Sequence, residues 1–171
     1  LVTDVLTSGA GEPVTVFAPG RGQSIAQTRP FGSGVRGTRV FFQYSDSSPP
    51  VALRSVADEA GATRAFGASL GVAAIAGVLA TDPDRFERLV LAIPAGLDVS
   101  YDVLGKVSAP VLVLGQRGDD VHPARVAEQT AAALPQATLR ILPPGGLLVA
   151  HRAEVRELVT AFLNGTSLNQ G

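Results

Sequence analysis

Gly67-Ala68-Ser69-Leu70-Gly71 stands between a short apolar run, Thr63 to Ala68, and a longer small-residue stretch, Leu70 to Ala80. The run reads as a strand and the stretch as a helix that is apolar nearly all round, hence buried and closely approached. A Gly-x-Ser-x-Gly pattern matters only in that context, a strand turning sharply into a helix. There the turn lifts the serine hydroxyl above the sheet, and a side chain two residues to either side would crowd it. The helix that begins at the turn offers free N–H groups and a positive end to an oxyanion. In a chain with 19 glycines the bare pattern arises easily by coincidence. Its placement is what makes Ser69 the candidate nucleophile.

Working outward, apolar runs alternate with amphipathic stretches. Strands are predicted at Val14 to Ala18, Thr38 to Phe42, Thr63 to Ala68, Arg88 to Ile93, Val111 to Leu114 and Thr138 to Leu142. The unbroken Leu89-Val90-Leu91-Ala92-Ile93 and Val111-Leu112-Val113-Leu114 have the pattern of strands covered on both faces. Helices are predicted at Ser24 to Ser33, weakened by Pro30, and at Val51 to Glu59, Leu70 to Ala80, Pro123 to Leu134 and Ala150 to Leu163. Asn164-Gly165 ends the last one. About six strands alternating with helices call for an α/β fold, a three-layer, doubly wound, mostly parallel sheet. Its active site belongs beyond the carboxyl ends of the strands. No linker or repeat divides residues 1–165, and residues 166–171 read as a polar C-terminal tail.

The composition narrows the function. With 171 residues the chain has room for one sizeable core. A net charge of −1 argues against nucleic acid or an acidic membrane surface as partner. Cysteine is absent, which excludes disulfides, thiolate catalysis and zinc–thiolate sites. No metal or cofactor is expected. No apolar run reaches the roughly 20 residues that span a bilayer. The first residues lack the pattern of a secretion signal, so a cytoplasmic location is expected.

On these motifs the chain resembles the α/β-hydrolase family nearly end to end. Phe17-Ala18-Pro19-Gly20-Arg21-Gly22 is similar to the family's oxyanion loop, with Pro19 in place of the usual histidine. Pro110 to Gly115, followed by Asp119 and Pro123, resembles the strand and turn that deliver the catalytic acid. The resemblance implies an oxyanion hole from the backbone N–H groups of Leu70 and Arg21, with Gly67 and Gly71 as the elbow glycines. It implies Asp119 as the acid, a position that would equally suit a cap for the helix after Pro123. Only 17 residues lie between Ile93 and Val111, too few for the family's lid. The site should therefore be shallow and open, with an apolar rim that a second copy could cover in a homodimer.

The base is the irregular element. Where the family places histidine after the last strand, the chain reads Pro143-Pro144-Gly145-Gly146-Leu147, and leucine accepts no proton. The chain holds two histidines. His151, at the start of the last helix, is the first candidate, and it requires the Gly145-Gly146 loop to fold it back. His122, beside the acid loop, is the second. Tyr44 and Asp46, after the second predicted strand, offer further polar groups at the rim. The resulting expectation is a serine hydrolase acting on a small ester, thioester or lactone through Ser69, Asp119 and His151. The alternatives are a degenerate member of the family, acting as a lyase or cyclase or merely binding a small molecule, and a partner-binding protein.

Overall fold

The computed structural model describes residues 2–45 and 48–165. Asp46 and the polar tail, residues 166–171, lie outside the described residues. The elements run β1 (Val2–Gly9), β2 (Val14–Ala18), α1 (Ile25–Gly32), β3 (Thr38–Tyr44), α2 (Pro49–Ala60), β4 (Arg64–Ala68), α3 (Leu70–Thr81) and β5 (Arg88–Ala92). A 3₁₀ helix (Tyr101–Lys106) then leads to β6 (Val111–Gln116), α4 (Ala124–Ala133), β7 (Ala137–Leu142), a π-helical turn (Gly146–Ala150) and α5 (Arg152–Leu163).

The strands form one seven-stranded sheet in the order β1-β3-β2-β4-β5-β6-β7. Every pairing is parallel except β1 with β3. The six predicted strands are present, and β1 is an addition at the edge. Its pairing is irregular between Val2 and Val5, and Val5 is exposed. A strand half-covered at a sheet edge does not write the continuous apolar run that marks β5 and β6.

Alternate strand residues divide the interior into two cores. Val16, Val40, Ala65, Leu91 and Val113 face α2, α3 and α4, whereas Phe17, Phe41, Phe66, Val90 and Leu112 face α1 and α5. On the second face Phe17 stacks on Phe41 with centroids 4.6 Å apart, and Phe31 of α1 stacks on Phe66 at 5.5 Å. Helix α1 forms despite Pro30. Ser24 and Gln27 close a reciprocal capping box at its start, and Phe31 anchors its end.

The order places β3 on one side of β2 and β4 on the other, so the winding reverses between β2 and β4. At such a reversal the loops leaving the two strands diverge and leave a crevice. Those loops are Pro19–Ser24 and the turn at Ser69. Only the 3₁₀ helix stands between β5 and β6, so no lid covers the crevice.

Candidate active site

Strand β4 runs directly into Ser69, whose backbone has φ 54° and ψ −110°. A non-glycine residue holds such a conformation only where its surroundings impose it. The Ser69 N–H donates to the Ala92 carbonyl at 3.0 Å, and the Ser69 carbonyl accepts from Val72 N–H at 2.9 Å. The turn is thus tied to β5 on one side and to α3 on the other. The flanking glycines are required by contact. A Cβ on Gly67 would lie 2.6 Å from the Gly71 carbonyl oxygen, and one on Gly71 would lie 2.2 Å from that of Ala18. Leu70 opens α3, so its N–H has no acceptor within the helix. In the loop after β2 the Gly20 N–H donates to Gln23 Oε1 at 2.7 Å. The next amide, that of Arg21, has no acceptor among the described residues.

The loop after β6 brings the ionisable groups. Asp119 Oδ1 accepts the backbone N–H groups of Val121 and His122, both at 2.9 Å. Asp119 Oδ2 lies 2.9 Å from His122 Nδ1. His122 Nε2 lies 2.9 Å from Ser69 Oγ. With Nδ1–H donating to the carboxylate, Nε2 is left as the acceptor for the serine hydroxyl. Desolvation pushes the Asp119 carboxyl up, but the bonds from the His122 amide and imidazole and from Val121 N–H outweigh it. Its pKa ends below the ordinary carboxylate value. Asp119 folds its own loop rather than capping α4, whose cap position is Pro123 with no side-chain bond.

The imidazole beside Ser69 is therefore His122, and His151, the first candidate base, is not there. Gly145 (φ 134°) and Gly146 (φ 85°) turn the chain into the π-helical turn instead of folding His151 back. His151 Nε2 lies 3.2 Å from the Pro144 carbonyl oxygen of its own loop. A signal for His122 was present in the sequence. An aspartate that binds the amides two and three residues ahead makes a tight turn. That turn puts side chains i and i+3 on the same side.

Ser69, Leu70, Arg21, Ile93, Val121 and His122 line a cavity of about 580 Å³. The non-glycine residues with positive φ among those described are Ser69, Ile93 (φ 45°) and Asp98 (φ 57°), and all three line it. Backbone strain is thus gathered around one cavity. Tyr44 lines an adjoining cavity instead. Its hydroxyl is buried with no partner among the described residues, and burial raises its pKa far above the usual phenol range.

No family model matches the chain, and no curated protein matches it by sequence. Solved structures match it over nearly their whole length. Rv0554 from Mycobacterium tuberculosis is 16% identical, with 96% of this chain and 94% of that one covered and a TM-score of 0.80. Est1E from Butyrivibrio proteoclasticus, solved with ferulic acid bound, is 12% identical over 94% and 93% of the two chains, with a TM-score of 0.82. MGS-M2, an α/β-hydrolase enzyme from a Medee basin deep-sea metagenome library, is 12% identical over 97% and 95%, also with a TM-score of 0.82. At these identities the likeness speaks for the fold. Together with the strand order and the strained turn between β4 and α3, it establishes that this chain has the α/β-hydrolase fold.

Proposed function

We propose that the protein is a serine hydrolase acting on an ester, thioester or lactone, with Ser69, His122 and Asp119 as its triad. One observation carries the reading: two 2.9 Å contacts in series, from Ser69 Oγ to His122 Nε2 and from His122 Nδ1 to Asp119 Oδ2. Ser69 Oγ attacks the carbonyl carbon while His122 Nε2 takes its proton. Asp119 holds the imidazole in the productive tautomer and stabilises the imidazolium. The oxyanion of the tetrahedral intermediate accepts the amides of Leu70 and Arg21. His122 then gives its proton to the departing alcohol or thiol, leaving an acyl-Ser69 ester. Water attacks that ester, losing a proton to His122, and the acid leaves as Ser69 regains its hydrogen. MGS-M2, similar in fold, is a hydrolase by name. The lyase, cyclase or binding alternatives drew on the lack of a base, and an imidazole 2.9 Å from Ser69 Oγ supports the hydrolase reading over them.

The test is labelling by a fluorophosphonate together with turnover of p-nitrophenyl acetate. The intact protein is expected to be labelled at Ser69. Ser69→Ala and His122→Ala are each expected to lower kcat by about 10³–10⁶-fold. His151→Ala should stay within about twofold of the parent, because that imidazole is not required as the base. Absence of labelling, or an inert His151→Ala beside an active His122→Ala, would reject the assignment.

A further inference from the structure

The catalytic cavity adjoins a second one of about 700 Å³. The two share Gly20, Arg21, Gln23, Leu70, Ala73 and Asp98 as walls, which form the waist between them. Ser69 and His122 line the first cavity and not the second. We infer that the second cavity holds the acyl arm of the substrate, an uncharged chain or ring, and that Ala73 sets how large that arm can be. The inference rests on the serine-hydrolase reading above.

The direction follows from proton transfer. His122 must protonate the leaving oxygen or sulfur, so the leaving group lies on the His122 side of Ser69. The carbonyl oxygen is held at the Leu70 and Arg21 amides. The acyl substituent is then directed away from His122, and the cavity found there borders the oxyanion loop. Its character follows from its walls. Pro50, Leu97 and Val99 supply apolar surface, and Gln43, Tyr44 and Ser48 supply uncharged polar groups beside it. Arg21 and Asp98 bring opposite formal charges to the waist, which favours a neutral arm over a charged one.

The room comes from α3. Most of that helix is buried, but Leu70, Ala73 and Gly77 are only half-buried. Their spacing puts them on one face, and all three line the second cavity. Of these three, Leu70 and Ala73 reach the waist, and Ala73 is the one with only a methyl group there. A larger side chain there would project into the passage instead of the core.

The test compares two ester series in the full chain. One runs from p-nitrophenyl acetate to octanoate and varies the acyl arm. The other runs from ethyl to octyl acetate and varies the alcohol. In Ala73→Phe the ratio of kcat/KM for octanoate to that for acetate is expected to fall about 10- to 100-fold, and in Ala73→Val about threefold. The alcohol series should keep its profile within about twofold. Valine is the smaller intrusion and keeps the test alive if the phenylalanine variant does not fold. An unchanged acyl profile in Ala73→Val, or a shift in the alcohol series instead, would overturn the inference while Ser69 labelling still upheld the hydrolase reading. Absence of labelling and of acetate turnover in the parent protein would defeat that reading, and this inference with it.

Discussion

The two oxygens of Asp119 do different things: Oδ1 gathers the amides of its own loop, and Oδ2 orients His122. In Asp119→Asn an amide nitrogen at Oδ2 could no longer accept from Nδ1–H, which favours the wrong tautomer. Turnover is expected to fall about 10⁴-fold, read from kcat on p-nitrophenyl acetate. The same substitution should alter stability with a definite sign. The folded Asp119 carboxyl has a depressed pKa, so its contribution is present above the unfolded value of about 3.9 and is lost as pH falls through the lower folded value. The difference in Tm between parent and Asp119→Asn should accordingly be largest above about pH 4 and shrink below it. Ser69 could be read from sequence because its signal is local: two glycines, a strand before and a helix after. On the sequence alone His122 stands second to His151 because the family pattern directs attention to the loop after the last strand. What decides the matter is the turn around Asp119, a geometry that residue types suggest but do not specify.

At the scale of elements, the elbow is held by how closely α3 approaches β2. Gly71→Ala would push a methyl group against the Ala18 carbonyl oxygen, and backbone on both sides must give way. A loss of about 2–4 kcal/mol is expected by urea denaturation, with Ser69 labelling impaired as the turn relaxes. The runs at β5 and β6 were legible because strands covered on both faces write unbroken apolar sequence. The chain around Gly146–Ala150 was not. Its sequence reads as the loop after the last strand, and it forms a π-helical turn whose course depends on two glycines with positive φ.

Across the whole molecule, burial falls from the middle of the sheet to its edges. Every residue of β6 is buried, whereas β7 has only Leu142 fully covered. Amide hydrogen exchange should be slowest in β5 and β6 and fastest in β1 and β7, with a single slow cooperative block at the centre. Uniform exchange across the sheet would contradict that grading. No helix among the described residues is long and apolar enough to cross a membrane. The fold class was legible at this scale because alternation of strand and helix leaves few topologies open. The strand order, which sets the crevice between β2 and β4, came only with the structure.

The short distance along the chain between Asp119 and His122 has one more consequence. The proposed base and its carboxylate partner travel together on one seven-residue loop, Arg117 to Pro123, instead of arriving from distant parts of the polypeptide. With the proposed triad, everything downstream, α4 through α5, contributes packing but no reacting atom. On that reading, the downstream segment could be exchanged for another that fills the same two cores, with the reacting groups left in place.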